Sequence, residues 1–123
     1  MPPEATPPVY DPAALESLRE VNPEDGGAFV RELVAIFLHD TPARIAEISA
    51  ALAAGDAPTL TRAAHSIKGS AGNFGAEQLA AISRAIETHA KAGDLAALPA
   101  LQPELHAAFE RVRVALTPIL GPR

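Results

Sequence analysis

Apolar residues recur along this chain at intervals of three and four, and nowhere do they alternate with polar ones over the length of a strand. Asp11-Pro12 offers an N-cap and a first-turn proline, and Leu15 with Leu18 predicts a short helix ending before Asn22-Pro23. Pro23 to Gly27 reads as a turn. From about Ala28 the positions Phe29, Leu33, Ile36 and Phe37 predict a second helix to about Asp40, and Thr41-Pro42 is expected to restart a third that carries Ile45, Ile48 and Leu52. Gly55 is placed to end that helix in a left-handed turn, and Asp56 to cap a fourth through Leu60 and His65 until Asn73-Phe74-Gly75. Leu79, Ile82 and Ile86 carry a fifth from about Ala76 to Ala92. The last, interrupted by Pro99 and Pro103, is expected to begin loosely and run regularly from about Pro103 to Leu116. Short loops between helices favour antiparallel neighbours, so the expected fold is all-α: an up-and-down antiparallel four-helix bundle with a short additional N-terminal helix.

Two details of the pattern bear on function. Val30, Val34, Phe37 and Leu38 widen the apolar arc of the second helix to nearly half its circumference, more than one core-facing stripe needs. The first helix is expected to cover the excess; the alternative is that part of it stays open as a docking surface. In the fourth helix, stepping about 100° per residue gathers Leu60, Ala63, Ala64, Ile67, Ala71 and Phe74 into one stripe and throws Thr61, Arg62, His65, Lys68, Gly69 and Gly72 to the opposite flank. Each glycine costs such a helix roughly 1 kcal/mol relative to alanine. They leave His65 standing on a surface stripped of side chains, where something large can approach. The alternative for Gly69, admission of a neighbouring helix, is weakened because it points off the core stripe.

Composition narrows the classes. The 123 residues suffice for one domain; 48% apolar content with 4% aromatics and no tryptophan asks for an Ala, Leu, Ile and Val core at helical spacing. Residues 1–9, with four prolines, read as a disordered tail or linker, and 10–118 as the domain. A formal net charge of −5 with scattered basic residues argues against nucleic acid. With no cysteine there is no disulfide and no thiolate chemistry. The lack of an apolar run of about 18 residues and of a signal-peptide layout leads us to expect a cytoplasmic protein with no membrane partner.

A solvent-facing neutral imidazole is a good nucleophile near neutral pH, and a lysine one turn away can offset the charge of an incoming phosphoryl group. The run His65-Ser66-Ile67-Lys68-Gly69-Ser70-Ala71, followed by Gly75-Ala76 and later by Leu79 and Glu87, closely resembles the histidine-containing phosphotransfer (HPt) domains of bacterial two-component phosphorelays. The resemblance extends to Phe37 and to the Ala54-Gly55-Asp56 turn, covering roughly Asp11 to Leu116; Ile67 stands where leucine is commoner. It implies that His65 takes a phosphoryl group from a receiver-domain aspartate and passes it to another receiver. It further implies that the ring nitrogen far from the backbone is phosphorylated, that Lys68 steadies the phosphoryl oxygens, and that Gly69 leaves room for the receiver, with Gly72, Arg62, Thr61 and Phe37 on the docking side. The partners implied are receiver domains of response regulators and hybrid histidine kinases. A phosphoryl carrier rather than an enzyme is implied, a monomer with no cofactor of its own, Mg²⁺ coming with the receiver.

Three other readings compete. A metal site between helices could draw on the four histidines, but no Glu-x-x-His pair is present, and His39-Asp40 lacks the further ligands a metal-dependent phosphohydrolase needs. A non-phosphorylated adaptor would have no use for both His65 and Lys68. The phosphoacceptor module of a chemotaxis-type kinase would need an ATP-binding domain located elsewhere. His39, His89 and His106 are read as structural, His89 packing at the margin of its helix's apolar stripe.

Overall fold

The computed structural model describes residues 8–121, and among them every regular element is helical. The helices are α1 (Pro12–Arg19), α2 (Ala28–Ala54), α3 (Ala57–Gly72), α4 (Glu77–Lys91) and α5 (Leu98–Leu116), with 3₁₀ turns at Leu95–Ala97 and Thr117–Leu120. α2 packs on α3, α3 on α4, α4 on α5 and α5 back on α2, closing a four-membered ring against which the short α1 leans through α2. α3 and α5 occupy a diagonal. The expected bundle with its leading helix is therefore the fold, but two of its boundaries are corrected.

The second and third expected helices are one. α2 passes through Pro42 without a break because its buried positions, Val30, Val34, Phe37, Thr41, Ile45, Ile48 and Ala51, keep helical phase across the proline. Proline removes one donor there, and a continuous buried stripe on both sides outweighs that loss. Likewise α5 begins at Leu98, not near Pro103. Pro99 falls in its first turn, where an N–H has no partner to lose, and Pro103 sits between buried Leu98 and Leu105.

α1 is capped by Asp11, whose carboxylate accepts from Ala13 N at 2.9 Å, while Asp11 N donates to Phe74 O at 2.9 Å and so ties α1 to the α3–α4 turn. That turn needs Gly75 (φ +62°): a Cβ there would collide with Asp11 Cβ. The tail expected over 1–9 lies outside the described residues as far as residue 7. Of its last two positions, Pro8 accepts from Gln78 N at 3.2 Å and Val9 is packed against the core. At the other end Ile119 and Leu120 also pack on the core, past residue 118.

The broad apolar arc of α2 is mostly consumed inside. Val30, Val34 and Phe37 are buried and Leu33 and Leu38 partly so, while Ile36 remains 49% exposed. Phe37, expected on the docking side, is instead a core residue, 4% exposed, its ring 5.0 Å from that of Phe74 and 6.1 Å from that of Phe109.

Candidate functional site

α3 starts at Asp56, whose carboxylate accepts from Thr59 N at 3.2 Å, and it buries Leu60, Ala63, Ala64, Ile67 and Ala71. That phase fixes the opposite flank. His65 lies there with its side chain 67% exposed. A Cβ built on Gly69 or on Gly72 meets nothing within 4 Å, so no helix of the bundle closes on either glycine and the surface beside the imidazole is open. Arg62 is on the same flank, its guanidinium 3.5 Å from Thr59 Oγ1, whereas the Thr61 hydroxyl turns back to donate to Ala57 O at 2.9 Å. On the α2 side of α3, a groove is lined by Ile36, Phe37, Asp40, Arg44, Ser66 and Ser70.

The residue that organises the site comes from α4. Glu87 faces α3 with its side chain only 6% exposed; Oε2 accepts from His65 Nδ1 at 2.9 Å and Oε1 from the Lys68 ammonium at 2.7 Å. Hydrogen bonding from Lys68 holds the Glu87 carboxyl at about 2, well below the usual 4.5, against the opposing effect of its burial. An ionised carboxylate only accepts, so Nδ1 carries the imidazole proton and Nε2, across the ring, keeps the lone pair of the neutral form. Glu87 thereby fixes both the tautomer and the direction of the nucleophile. It also occupies Lys68, whose ammonium is held on Glu87.

In the sequence Glu87 is visible only as part of a pattern, with no role attached. One signal could have raised it: Glu87 shares a helical face with Leu79, Ser83 and Ala90, and a carboxylate on a buried stripe needs a cationic partner. The remaining histidines do not converge on His65. His39 Nδ1 lies 3.1 Å from Asp40, and His89 Nδ1 lies 3.1 Å from Asp94, which in turn donates from its N–H to His89 O, so His89 closes the end of α4 and is not simply packed. Among the described residues no three His, Asp or Glu side chains gather as a metal site, and both Glu87 oxygens already face cations or a ring N–H. No helix among them is long and apolar enough to cross a membrane.

Comparison with known proteins shows the family of the chain. A family model described as "Hpt domain" matches residues 32–115. Among solved structures, the crystal structure of histidine-containing phosphotransfer protein B (HptB) from Pseudomonas aeruginosa PAO1 superposes with a TM-score of 0.80 at 37% sequence identity, over 89% of this chain and 92% of that one. A search of curated proteins returns no match.

Proposed function

We propose a reading that starts from one premise: the chain belongs to the Hpt domain family, and it is a histidine phosphotransfer intermediate of a phosphorelay. His65 is the residue that carries the group. The single observation behind this is the Glu87 contact, which leaves Nε2 as the free nitrogen of a histidine on an open surface. In the step, the Nε2 lone pair attacks the phosphorus of a receiver's aspartyl phosphate. The N–P bond forms as the P–O bond to the aspartate breaks, and that electron pair leaves with the receiver carboxylate. The proton on Nδ1 stays in place, so the product ring is cationic and still donates to Glu87. Reversal onto a second receiver completes a relay.

The other residues support that step without reacting. Lys68, held on the same carboxylate as His65, gives a positive charge close to the imidazole. Gly69 and Gly72 admit the receiver, Arg62 presents positive charge to its acidic pocket, and Ile36, half exposed at the rim of the α2–α3 groove, gives it an apolar contact. The chain acts as a monomeric carrier in the cytoplasm and holds no cofactor; Mg²⁺ belongs to the receiver's pocket, since the one buried carboxylate at His65 is already matched.

The test is direct. Mixed with a phosphorylated receiver domain, the chain should gain an acid-labile, base-stable phosphoryl group, and with ATP alone it should gain none. His65→Gln should abolish uptake while leaving the melting temperature within a few degrees of wild type, because an exposed side chain off the core stripe contributes little packing. Undiminished labelling of His65→Gln would refute the assignment.

A further inference from the structure

Glu87 has a third partner. The Lys91 ammonium lies 3.5 Å from Oε2, the same oxygen that accepts from His65 Nδ1. Its two lysines are unequal. Lys68 makes a full hydrogen bond to Oε1 and is 29% exposed, whereas Lys91, the last residue of α4, is 65% exposed and stands within ion-pair reach but beyond a normal N–H···O length. Two ammonium groups around one carboxylate leave an excess positive charge whenever His65 is neutral. A loose ion pair whose cation is largely solvated adds little stability, so the resting domain gains little from this excess.

Phosphorylation changes the balance at both ends of Lys91. Because Nδ1 keeps its proton, the ring becomes cationic and its hydrogen bond to Oε2 becomes charge-assisted at both partners. Oε2 is then satisfied by the ring itself. At the same time a dianionic group appears on Nε2. We propose that Lys91 is a mobile cation of the phosphorylated state, which leaves Glu87 Oε2 for the phosphoryl oxygens when His65 is charged, while Lys68 stays on Glu87. The inference rests on the phosphotransfer reading above and adds a residue outside the His65 helix. No covalent bond changes in the exchange; one ion pair replaces another on a long, solvated side chain.

The experiment uses the full chain and a receiver domain charged with acetyl phosphate. It reads the equilibrium ratio of phosphorylated chain to phosphorylated receiver and the half-life of the isolated phosphohistidine. Lys91→Gln should move the equilibrium towards the receiver by about fivefold, the scale of one partly exposed ion pair, and shorten the half-life, with the melting temperature unchanged. Lys91→Arg should restore both. Arg113→Gln, which removes the same charge from α5, diagonal to the helix of His65, should alter neither. Wild-type equilibrium and half-life in Lys91→Gln overturn the proposal, and so does an equal shift in Arg113→Gln. A wild-type chain that accepts no phosphoryl group overturns the functional reading itself, so the two failures are told apart.

Discussion

A carboxylate on the buried face of a helix has to be matched by positive charge, and at Glu87 the match is also what aims the nucleophile. The direction of His65 was legible from its own helix, because helical phase alone separates it from Leu60, Ala64 and Ile67. The role of Glu87 was not, since its partners lie 22 and 19 residues away and meet it only once α4 has docked on α3 in one register. Glu87→Gln keeps the shape and removes the charge. In that variant His65 should lose its bias towards the Nδ1–H tautomer, visible in ¹⁵N NMR of the ring, and phosphoryl uptake should slow. Stability should respond as well. The folded carboxyl takes up a proton only near pH 2, the unfolded one near 4.5, so between those values the unfolded chain binds more protons and stability rises with pH. The contribution, about 1–3 kcal/mol, is complete above about pH 5 and lost as pH falls through 4.5 towards 2. Urea titrations of the two proteins should therefore differ most near neutral pH and converge in acid; curves that stay parallel would mean that Glu87 is not ionised in the fold.

For the elements, glycine and proline carried most of the information and also most of the error. Pro42 suggested a boundary because a proline usually ends a helix, yet the buried stripe of α2 runs in phase from Val30 to Ala51, and that continuity was present in the sequence for a reading that weighed periodicity above punctuation. Glycines in and after α3 divide by what surrounds them. Gly69 has open space where a Cβ would go, and its backbone is helical, so Gly69→Ala should stabilise the domain by up to about 1 kcal/mol, while Gly69→Gln should keep the fold and slow transfer by standing in the receiver's way. Gly75 is the opposite case. Its φ of +62° disfavours any side chain, and a Cβ would collide with Asp11, so Gly75→Ala should cost a few kcal/mol and loosen α1 from the α3–α4 turn. Thermal melts of the three variants test the contrast; a Gly69→Ala domain that melts clearly below wild type would place a bundle contact where the structure leaves space.

Across the whole molecule, the core and the docking face must be made by different residues, and α2 is where the sequence could not separate them. Its apolar arc spans more than one stripe, and which part turns inward depends on where α3 and α5 close on it, which no local pattern records. The structure divides neighbours: Phe37 is enclosed with Phe74 and Phe109, and Ile36, the residue before it, stands half exposed at the rim of the groove beside Ser66 and Ser70. Substitution of each should therefore damage a different property. Phe37→Ala removes the ring common to both aromatic contacts and leaves a cavity in the core. It should cost about 3–5 kcal/mol and lower the melting temperature by roughly 10 °C or more. At a temperature where the variant is still folded, its transfer kinetics should stay near wild type, because the surface seen by the receiver is intact. Ile36→Ala removes an exposed side chain from the proposed footing of the partner, so it should leave the melting temperature nearly unchanged and weaken receiver binding, raising the receiver concentration needed for half-maximal transfer. Paired melting and transfer measurements on the two variants settle the division. A Phe37→Ala protein as stable as wild type but poor in transfer would return Phe37 to the docking face, and an Ile36→Ala protein with unchanged receiver dependence would remove the α2–α3 groove from the interface.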